Sequence, residues 1–115
     1  MDFRRGSVAL VRLDPVEGSE QGKTRPCVVV QNDVANRLSS TVTIVPVVGY
    51  IEKIARYPLC VALEKGVAGL NTSVVNCAHV RTVDRRRLVL PVLGQIPDHV
   101  LALVDRALGI HLGLR

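Results

Sequence analysis

The run Cys27-Val28-Val29-Val30-Gln31 decides the fold class of this chain. Its continuous β-branched character predicts a strand that is buried on both faces. After a polar segment over residues 32–40, the run Thr41-Val42-Thr43-Ile44-Val45-Pro46-Val47-Val48 predicts a second long strand. Pro46 has no backbone N–H, so we expect it at an edge, a bulge or the end of that strand.

Shorter apolar stretches extend this pattern in both directions. We predict further strands at Ser7–Leu13, Leu59–Leu63, Ser73–Cys77, His79–Val83 and Leu88–Leu93. Near the C-terminus, apolar residues at positions 100, 101, 104, 107 and 108 form the single stripe of an α-helix. Pro97 and Asp98 suit the start of this helix, and Gly109 suits its end. The expected fold is mainly β with a C-terminal α-helix, a small barrel-like sheet of the α+β class.

The composition predicts one folded domain over residues 1–115. The 115 residues are 48% hydrophobic and 22% charged, which excludes an intrinsically disordered chain. Only 3% are aromatic, which argues against a nucleic-acid binder built mainly on base stacking. The 15 basic and 10 acidic residues give a net charge of +5, which favours an acidic or polyanionic partner.

The sequence also predicts a cytoplasmic protein with no membrane segment, no cofactor and no metal. No run approaches the ~20 apolar residues of a membrane helix. The apolar stretch after Arg4 and Arg5 is too short and too soon followed by charge for a signal peptide. Three cysteines without a CxxC pair predict buried free thiols rather than zinc ligands or disulfides. The histidines show no metal-ligand spacing.

The segment Gly18-Ser19-Glu20-Gln21-Gly22-Lys23-Thr24-Arg25-Pro26 carries the clearest chemistry. It places a carboxylate, Glu20, five residues before Arg25, and Gly22 lets the chain turn between them. Pro26 restricts Arg25 to extended conformations and so helps to aim its side chain. A guanidinium held in this way suits a phosphate, because its planar fork matches two phosphate oxygens. The alternative is an ordinary Glu–Arg pair on the surface.

The sequence resembles the MazF (PemK/Kid) toxins of bacterial toxin–antitoxin systems in this segment and in the Gln31-Asn32-Asp33 that follows the next strand. The similarity continues through Asn36-Arg37, Ile44-Val45-Pro46-Val47 and Val80-Arg81-Thr82-Val83-Asp84 to the C-terminal helix. The resemblance implies an SH3-like barrel of the PemK/CcdB toxin type that forms a homodimer. It also implies a sequence-specific, metal-independent endoribonuclease that acts on single-stranded RNA and is inhibited by an acidic antitoxin.

The same resemblance points to three catalytic positions. Cleavage without a metal uses the neighbouring 2′-hydroxyl as nucleophile, and Arg25 is expected to stabilise charge in the transition state. Glu20 is the candidate base, or the residue that orients Arg25. The third position holds Val48 where the family usually carries a threonine, so a hydroxyl that contacts the scissile phosphate is absent. The conceivable substitutes are Tyr50, Thr43, Ser73 and His79.

Other polar residues are candidate contacts to RNA bases or backbone. They are Ser19, Gln21, Asn32, Asn36, Arg37, Ser73, His79 and Arg81. His79 is equally suited to a structural role. The run Arg85-Arg86-Arg87 suits either a solvated turn or the attraction of RNA or antitoxin.

Two other functions stay open on the sequence. One is a catalytically impaired relative that binds antitoxin or RNA without cutting, and the valine at position 48 favours it. The other is a CcdB-like toxin that binds gyrase. The phosphate-binding character of the segment around Arg25 argues against that second function.

Overall fold

The computed structural model describes residues 2–15, 18 and 23–114. The strands within these residues are β1 Ser7–Arg12, β2 Thr24–Val29, β3 Thr41–Gly49, β4 Cys60–Leu63, β5 Ser73–Asn76, β6 Arg81–Asp84 and β7 Leu88–Gln95. The α-helices are α1 Asp33–Leu38, α2 Glu52–Ala55 and α3 Asp98–Leu112, and short 3₁₀ turns lie at Val67–Gly69 and Arg85–Arg87.

The strands form one antiparallel sheet with β2 and β3 at its centre. Its order is β4-β5-β3-β2-β1-β7, and β6 pairs with β3 outside this path. The expected class, mainly β with a C-terminal helix, is therefore confirmed. Within the described residues β4 and β7 are not paired with each other, so the sheet is open between them.

Strand β2 contributes to a hydrophobic core on each face of the sheet. Cys27 and Val29 lie in one core, which we call the strand core, together with residues of β1, β3 and β6. Val28 lies in the other, which we call the helix core, because it contains Val100 and Val104 of α3. Cys27, Val28 and Val29 are all fully buried, as the β-branched run predicts.

Strand β3 changes partner along one edge. Its first half pairs with β6, ending at Ile44 opposite Arg81, and its second half pairs with β5, beginning at Val47 opposite Val75. Pro46 lies between these two pairings, in the middle of the strand rather than at its end. The position is suitable because no β5 or β6 residue pairs with Pro46 there, so its missing N–H costs no ladder bond.

The helices differ from the expected ones in extent. The polar segment over residues 32–40 contains α1, whose first turn is capped by the Asn32 side chain at 2.9 Å from the Ala35 amide. Helix α3 continues through Gly109 and ends where Gly113 adopts a left-handed conformation with φ of 72°. No helix in the described ranges combines the length and the apolar character that crossing a bilayer requires.

The cysteines are free thiols, as expected. Cys27 and Cys77 are buried and Cys60 is half-buried. Burial raises the pKa of Cys27 to about 12, and it does the same for Cys77. Thiols with such pKa values stay protonated at neutral pH, so these two side chains act as small hydrophobic groups.

Candidate active site

Arg25 lies near the start of β2, and Val48 lies near the end of β3. Strand β2 pairs with β3 through Cys27 opposite Pro46. Continuing that register by two residues places Arg25 opposite Val48, on the face of the sheet that carries the strand core. The Arg25 side chain is half-buried, and so is that of Val48.

A second arginine lies close to Arg25 on this face. Arg81 stands at the start of β6 opposite Ile44, and its Nη1 donates to the Leu13 carbonyl at 2.7 Å. Burial raises the pKa of the Cys27 thiol, whereas the positive charges of Arg25 and Arg81 act in the opposite direction. Both guanidinium groups therefore lie within electrostatic range of the same thiol.

A cavity of about 240 Å³ opens beside Arg81. Its walls are Leu13, Ile44, Pro46, Ala78, His79, Val80 and Arg81. His79 also borders a second cavity of about 440 Å³ on the side of Tyr57. The histidine and the arginine place hydrogen-bonding groups at the edge of a mainly apolar recess, which is the usual character of a ligand site.

Three of the predicted site residues, Ser19, Glu20 and Gln21, lie outside the described residues. Hydrogen bonds join the chain that precedes these residues to the chain that follows them. The Leu13 amide donates to the Lys23 carbonyl at 2.8 Å, and the Lys23 amide donates to Asp14 Oδ1 at 2.8 Å. Lys23 has a φ of 64°, a left-handed conformation that these two bonds help to hold.

Three more predicted contacts belong to α1 and its cap. Asn32 uses its side chain to cap the helix, and Arg37 is exposed in the last turn, where its charge favours the helix C-terminus. Asn36 is fully buried, and its amide bonds to Gln31 and Asp33. A side chain with no exposed surface cannot meet an RNA base, so Asn36 is excluded from the candidate site.

Ser73 also faces away from Arg25. It pairs with Leu63 in β4, a residue of the helix core, whereas its neighbour Val74 pairs with Val48. Ser73 is only 6% exposed, and its hydroxyl has no hydrogen-bond partner among the described residues. It is therefore on the wrong face to replace a hydroxyl at position 48.

The other possible replacements for that hydroxyl also differ in position. Thr43 lies five residues before Val48 and bonds Thr82 on the neighbouring strand at 2.8 Å. Five strand residues span roughly 16 Å, which is too far for the same phosphate. Tyr50, which is 46% exposed, lies just beyond the end of β3, and His79 lines the cavity. Of the four candidate replacements, Tyr50 and His79 are therefore the two that the structure leaves open.

The Arg85-Arg86-Arg87 run has three separate roles, a division that the sequence pattern did not predict. Arg85 donates to the carbonyls of Asn36 and Ser39 at 2.9 and 2.7 Å, and its guanidinium lies 4.9 Å from the centre of the Phe3 ring.

Arg86 alone is a solvated side chain, paired with Asp84 at 3.1 Å. Hydrogen bonding to Arg86 lowers the pKa of the Asp84 carboxyl. Arg87 donates to backbone carbonyls at the end of β1. Asp84 also caps this 3₁₀ turn, a short-range signal that was available in the sequence.

The described residues contain no group of three or more His, Cys, Asp or Glu side chains placed to share a metal ion.

Comparison with known proteins identifies the relatives of this fold and site. The family described as PemK-like, MazF-like toxin of type II toxin-antitoxin system matches residues 4–112. The crystal structure of MazF (Form-I) from Deinococcus radiodurans is 30% identical, covers 96% of each chain and has a TM-score of 0.83. MazE-MazF (Form-II) from the same organism is 28% identical over 100% of this chain and 99% of that one, with a TM-score of 0.78.

An endoribonuclease in complex with its cognate antitoxin from Mycobacterial species has the same fold at a TM-score of 0.80. It is 23% identical, over 98% of this chain and 97% of that one.

Proposed function

This chain belongs to the PemK-like, MazF-like toxins of type II toxin–antitoxin systems, and we propose that it cleaves single-stranded RNA at a phosphate bound by Arg25. The observation that supports the proposal is the position of Arg25, half-buried near the start of β2 on the sheet face that also carries Arg81 and the cavity that Arg81 lines. A guanidinium in that setting suits a phosphodiester, since it offers several N–H donors in a fixed plane.

The reaction needs no metal if the RNA supplies its own nucleophile. The 2′-hydroxyl loses its proton and attacks the adjacent phosphorus, the bond to the 5′-oxygen breaks, and that oxygen takes up a proton from solvent, so the products carry a 2′,3′-cyclic phosphate and a 5′-hydroxyl. Charge on the phosphate oxygens increases in the transition state, and Arg25 stabilises that charge. A guanidinium is a poor proton donor at neutral pH, so the role of Arg25 is electrostatic. Glu20 accepts the proton from the 2′-hydroxyl or orients Arg25.

The valine at position 48 lowers the rate of this reaction but leaves Arg25, its central residue, in place. A hydrogen bond to a charged group is worth roughly 1.5–3 kcal/mol, so its loss in the transition state costs about ten- to a hundredfold in rate. The remaining interactions of Arg25 are unaffected by the substitution. We therefore expect slow cleavage rather than none.

The cavity beside Arg81 is the proposed site for a base of the bound RNA. His79 and Arg81 line it and supply groups that hydrogen-bond to base edges or to the backbone. The low aromatic content is compatible with this mode of binding, because splayed bases are also read by hydrogen bonds. We propose that selection of particular RNA sequences depends on these residues and on Ser19 and Gln21.

The protein is proposed to form a homodimer and to bind an acidic antitoxin in the cytoplasm. Solved relatives from Deinococcus radiodurans are MazE-MazF structures, and a mycobacterial endoribonuclease is in complex with its cognate antitoxin. The net charge of +5 supports an acidic partner for this chain as well.

The test is digestion of a long single-stranded RNA in excess chelator, with the fragment ends mapped. Discrete fragments that end in a cyclic phosphate and begin with a 5′-hydroxyl are expected. A matched RNA with a 2′-deoxy sugar just 5′ of each mapped site should resist cleavage, and cutting of that substrate would exclude the internal nucleophile. Intact RNA under conditions where binding is measured would instead identify an impaired, RNA-binding relative.

A further inference from the structure

Arginine side chains cover the end of β1. Three consecutive backbone carbonyls there accept guanidinium hydrogen bonds. Arg87 Nη1 donates to Arg12 at 2.8 Å and also to Asp14, and Arg81 Nη1 donates to Leu13 at 2.7 Å. Charge-assisted bonds of this kind are shorter and stronger than bonds between neutral groups.

The 3₁₀ turn that carries Arg87 is itself fixed to the rest of the protein. Its Arg86 carbonyl accepts a bond from the Arg12 side chain, so β1 and the turn bond each other in both directions. On the other side, the Arg85 amide donates to the Ser40 carbonyl at 2.9 Å, and the Asp84 carboxyl caps the turn. Arg87 therefore extends from a turn with a defined position, and its own side chain is half-buried.

The end of β1 is the backbone against which Arg25 is aligned. The register pairs Val11 with Arg25, and the Leu13 amide bonds the Lys23 carbonyl two residues further along the ladder. Hydrogen-bonded pairs recur at every second residue of an antiparallel ladder, so Val11 and Arg25 also form one. The Asp14 carboxyl continues the connection by accepting the Lys23 amide.

We propose that Arg87 is a positioning residue for RNA cleavage, which acts by holding the end of β1 so that Arg25 keeps its alignment to the scissile phosphate. This inference rests on the proposed function. One guanidinium nitrogen with two N–H groups bridges the carbonyls of Arg12 and Asp14, and a neutral side chain cannot replace it. Small displacements of a catalytic group lower the rate steeply, so loss of the Arg87 side chain should lower kcat.

The competing explanation is that Arg87 only adds positive charge that attracts RNA. Arg86 separates the two explanations because it is the adjacent residue, carries the same charge and, within the described part of the chain, bonds only Asp84 through its side chain. If Arg87 only supplies charge, Arg86→Met and Arg87→Met should have equal effects, mainly on KM and on the salt dependence of RNA binding. Loss of alignment affects Arg87→Met alone.

The experiment measures RNA cleavage by the full chain and its Arg86→Met, Arg87→Met and Arg87→Lys variants, each checked for a cooperative unfolding transition. We expect Arg87→Met to lower kcat by about ten- to a hundredfold. Arg86→Met should keep a kcat within about twofold of the parent, and the two variants should have the same KM. Arg87→Lys should recover only part of the rate, since an ammonium on a shorter stem bridges the two carbonyls poorly. Equal kcat for Arg86→Met and Arg87→Met would overturn the proposal.

Amide hydrogen exchange tests the same alignment without any need for cleavage. The amides of Leu13 and Arg25 should exchange faster in Arg87→Met than in Arg86→Met, while amides of α3 stay unchanged. Unchanged exchange at both positions would contradict the positioning role, whatever the kinetics. A parent protein that cuts no RNA would instead contradict the proposed function, and the exchange result would still decide whether Arg87 aligns β2.

Discussion

The side chain of Asn36 donates to the Gln31 backbone carbonyl at 2.9 Å and accepts from the Gln31 side chain at 3.0 Å, so the two residues bond each other in both directions. The same amide also donates to Asp33, which accepts the Arg5 amide at 2.7 Å. A residue that the sequence presents as an RNA contact is therefore part of the framework that fixes α1 beside β3.

Replacement of Asn36 should reduce stability and leave RNA binding intact. Asn36→Ala removes three hydrogen bonds at a buried position, so we expect the free energy of unfolding to fall by about 2–4 kcal/mol. Urea unfolding measures this change, with Asn71→Ala at an exposed position as the control. Weaker RNA binding by a fully folded Asn36→Ala protein would show that the side chain does reach the RNA.

Arg25→Ala should remove most of the cleavage activity and preserve the fold. Loss of a group that stabilises transition-state charge costs about a hundred- to a thousandfold in kcat. Arg25 is half-buried near the start of β2, so its truncation leaves both cores in place. Single-turnover cleavage is the measurement, and Arg56→Ala is the control because Arg56 forms only an exposed pair with Glu52. Undiminished cleavage by Arg25→Ala would exclude the assigned role.

Val48→Thr should increase the rate by about ten- to a hundredfold, because the new hydroxyl can donate to the scissile phosphate. The two side chains have similar shapes, and Val48 is half-buried, so the hydroxyl need not lose contact with water. Val47→Thr is the matched control, since Val47 lies in the helix core and a hydroxyl there should only destabilise the protein. An unchanged rate for Val48→Thr would mean that another group already occupies that role.

Stability should decrease at alkaline pH because of the buried thiols. Burial raises the pKa of Cys27 and that of Cys77 from 9.0 to about 12. Below pH 9 both thiols are protonated in the folded and the unfolded chain, so they contribute no pH dependence. Between pH 9 and 12 the unfolded chain loses protons that the folded chain keeps, and the free energy of unfolding falls by about 1.4 kcal/mol per pH unit for each thiol.

Urea unfolding between pH 8 and 10.5 measures this decrease. At pH 8 the Cys27→Ala/Cys77→Ala protein should be less stable than the parent, because the substitutions leave small cavities. Its stability should nevertheless change less with pH than that of the parent. Equal slopes for the two proteins would show that the thiols do not titrate differently on folding.

The parts of the structure that could be predicted from the sequence are those with a local pattern. The β-branched run around Val28 defines a strand buried on both faces, and the spacing of Val100, Val104 and Ala107 defines α3. Helix α1 was not predicted, since its six residues are too few and too polar to show an apolar stripe. Gly109 was a poor marker of the end of α3, because one glycine within a helix costs only about 1 kcal/mol.

The roles of individual polar residues depend on contacts between distant segments, and no pattern in one sequence reveals these. Arg85 and Arg87 are two residues apart, yet one bonds the end of α1 and the other bonds the end of β1. Arg25 was identifiable because its signal is local, a glycine-containing segment followed by Arg-Pro. Asn36 and Ser73 were misleading because burial is a property of the whole fold.

The change of partner along β3 also explains why a cavity exists beside Arg81. The Arg85 amide bonds Ser40 and the Tyr50 amide bonds Thr72, so even-numbered residues of β3 direct their backbone groups toward β6 and β5. Pro46 is the one such residue without an N–H, and it stands where the two neighbouring strands part and the chain through Ala78 and His79 crosses between them. The gap between β6 and β5 therefore forms a recess. Pro46 lies behind this recess, and because proline has no N–H, it leaves no backbone donor without a partner there.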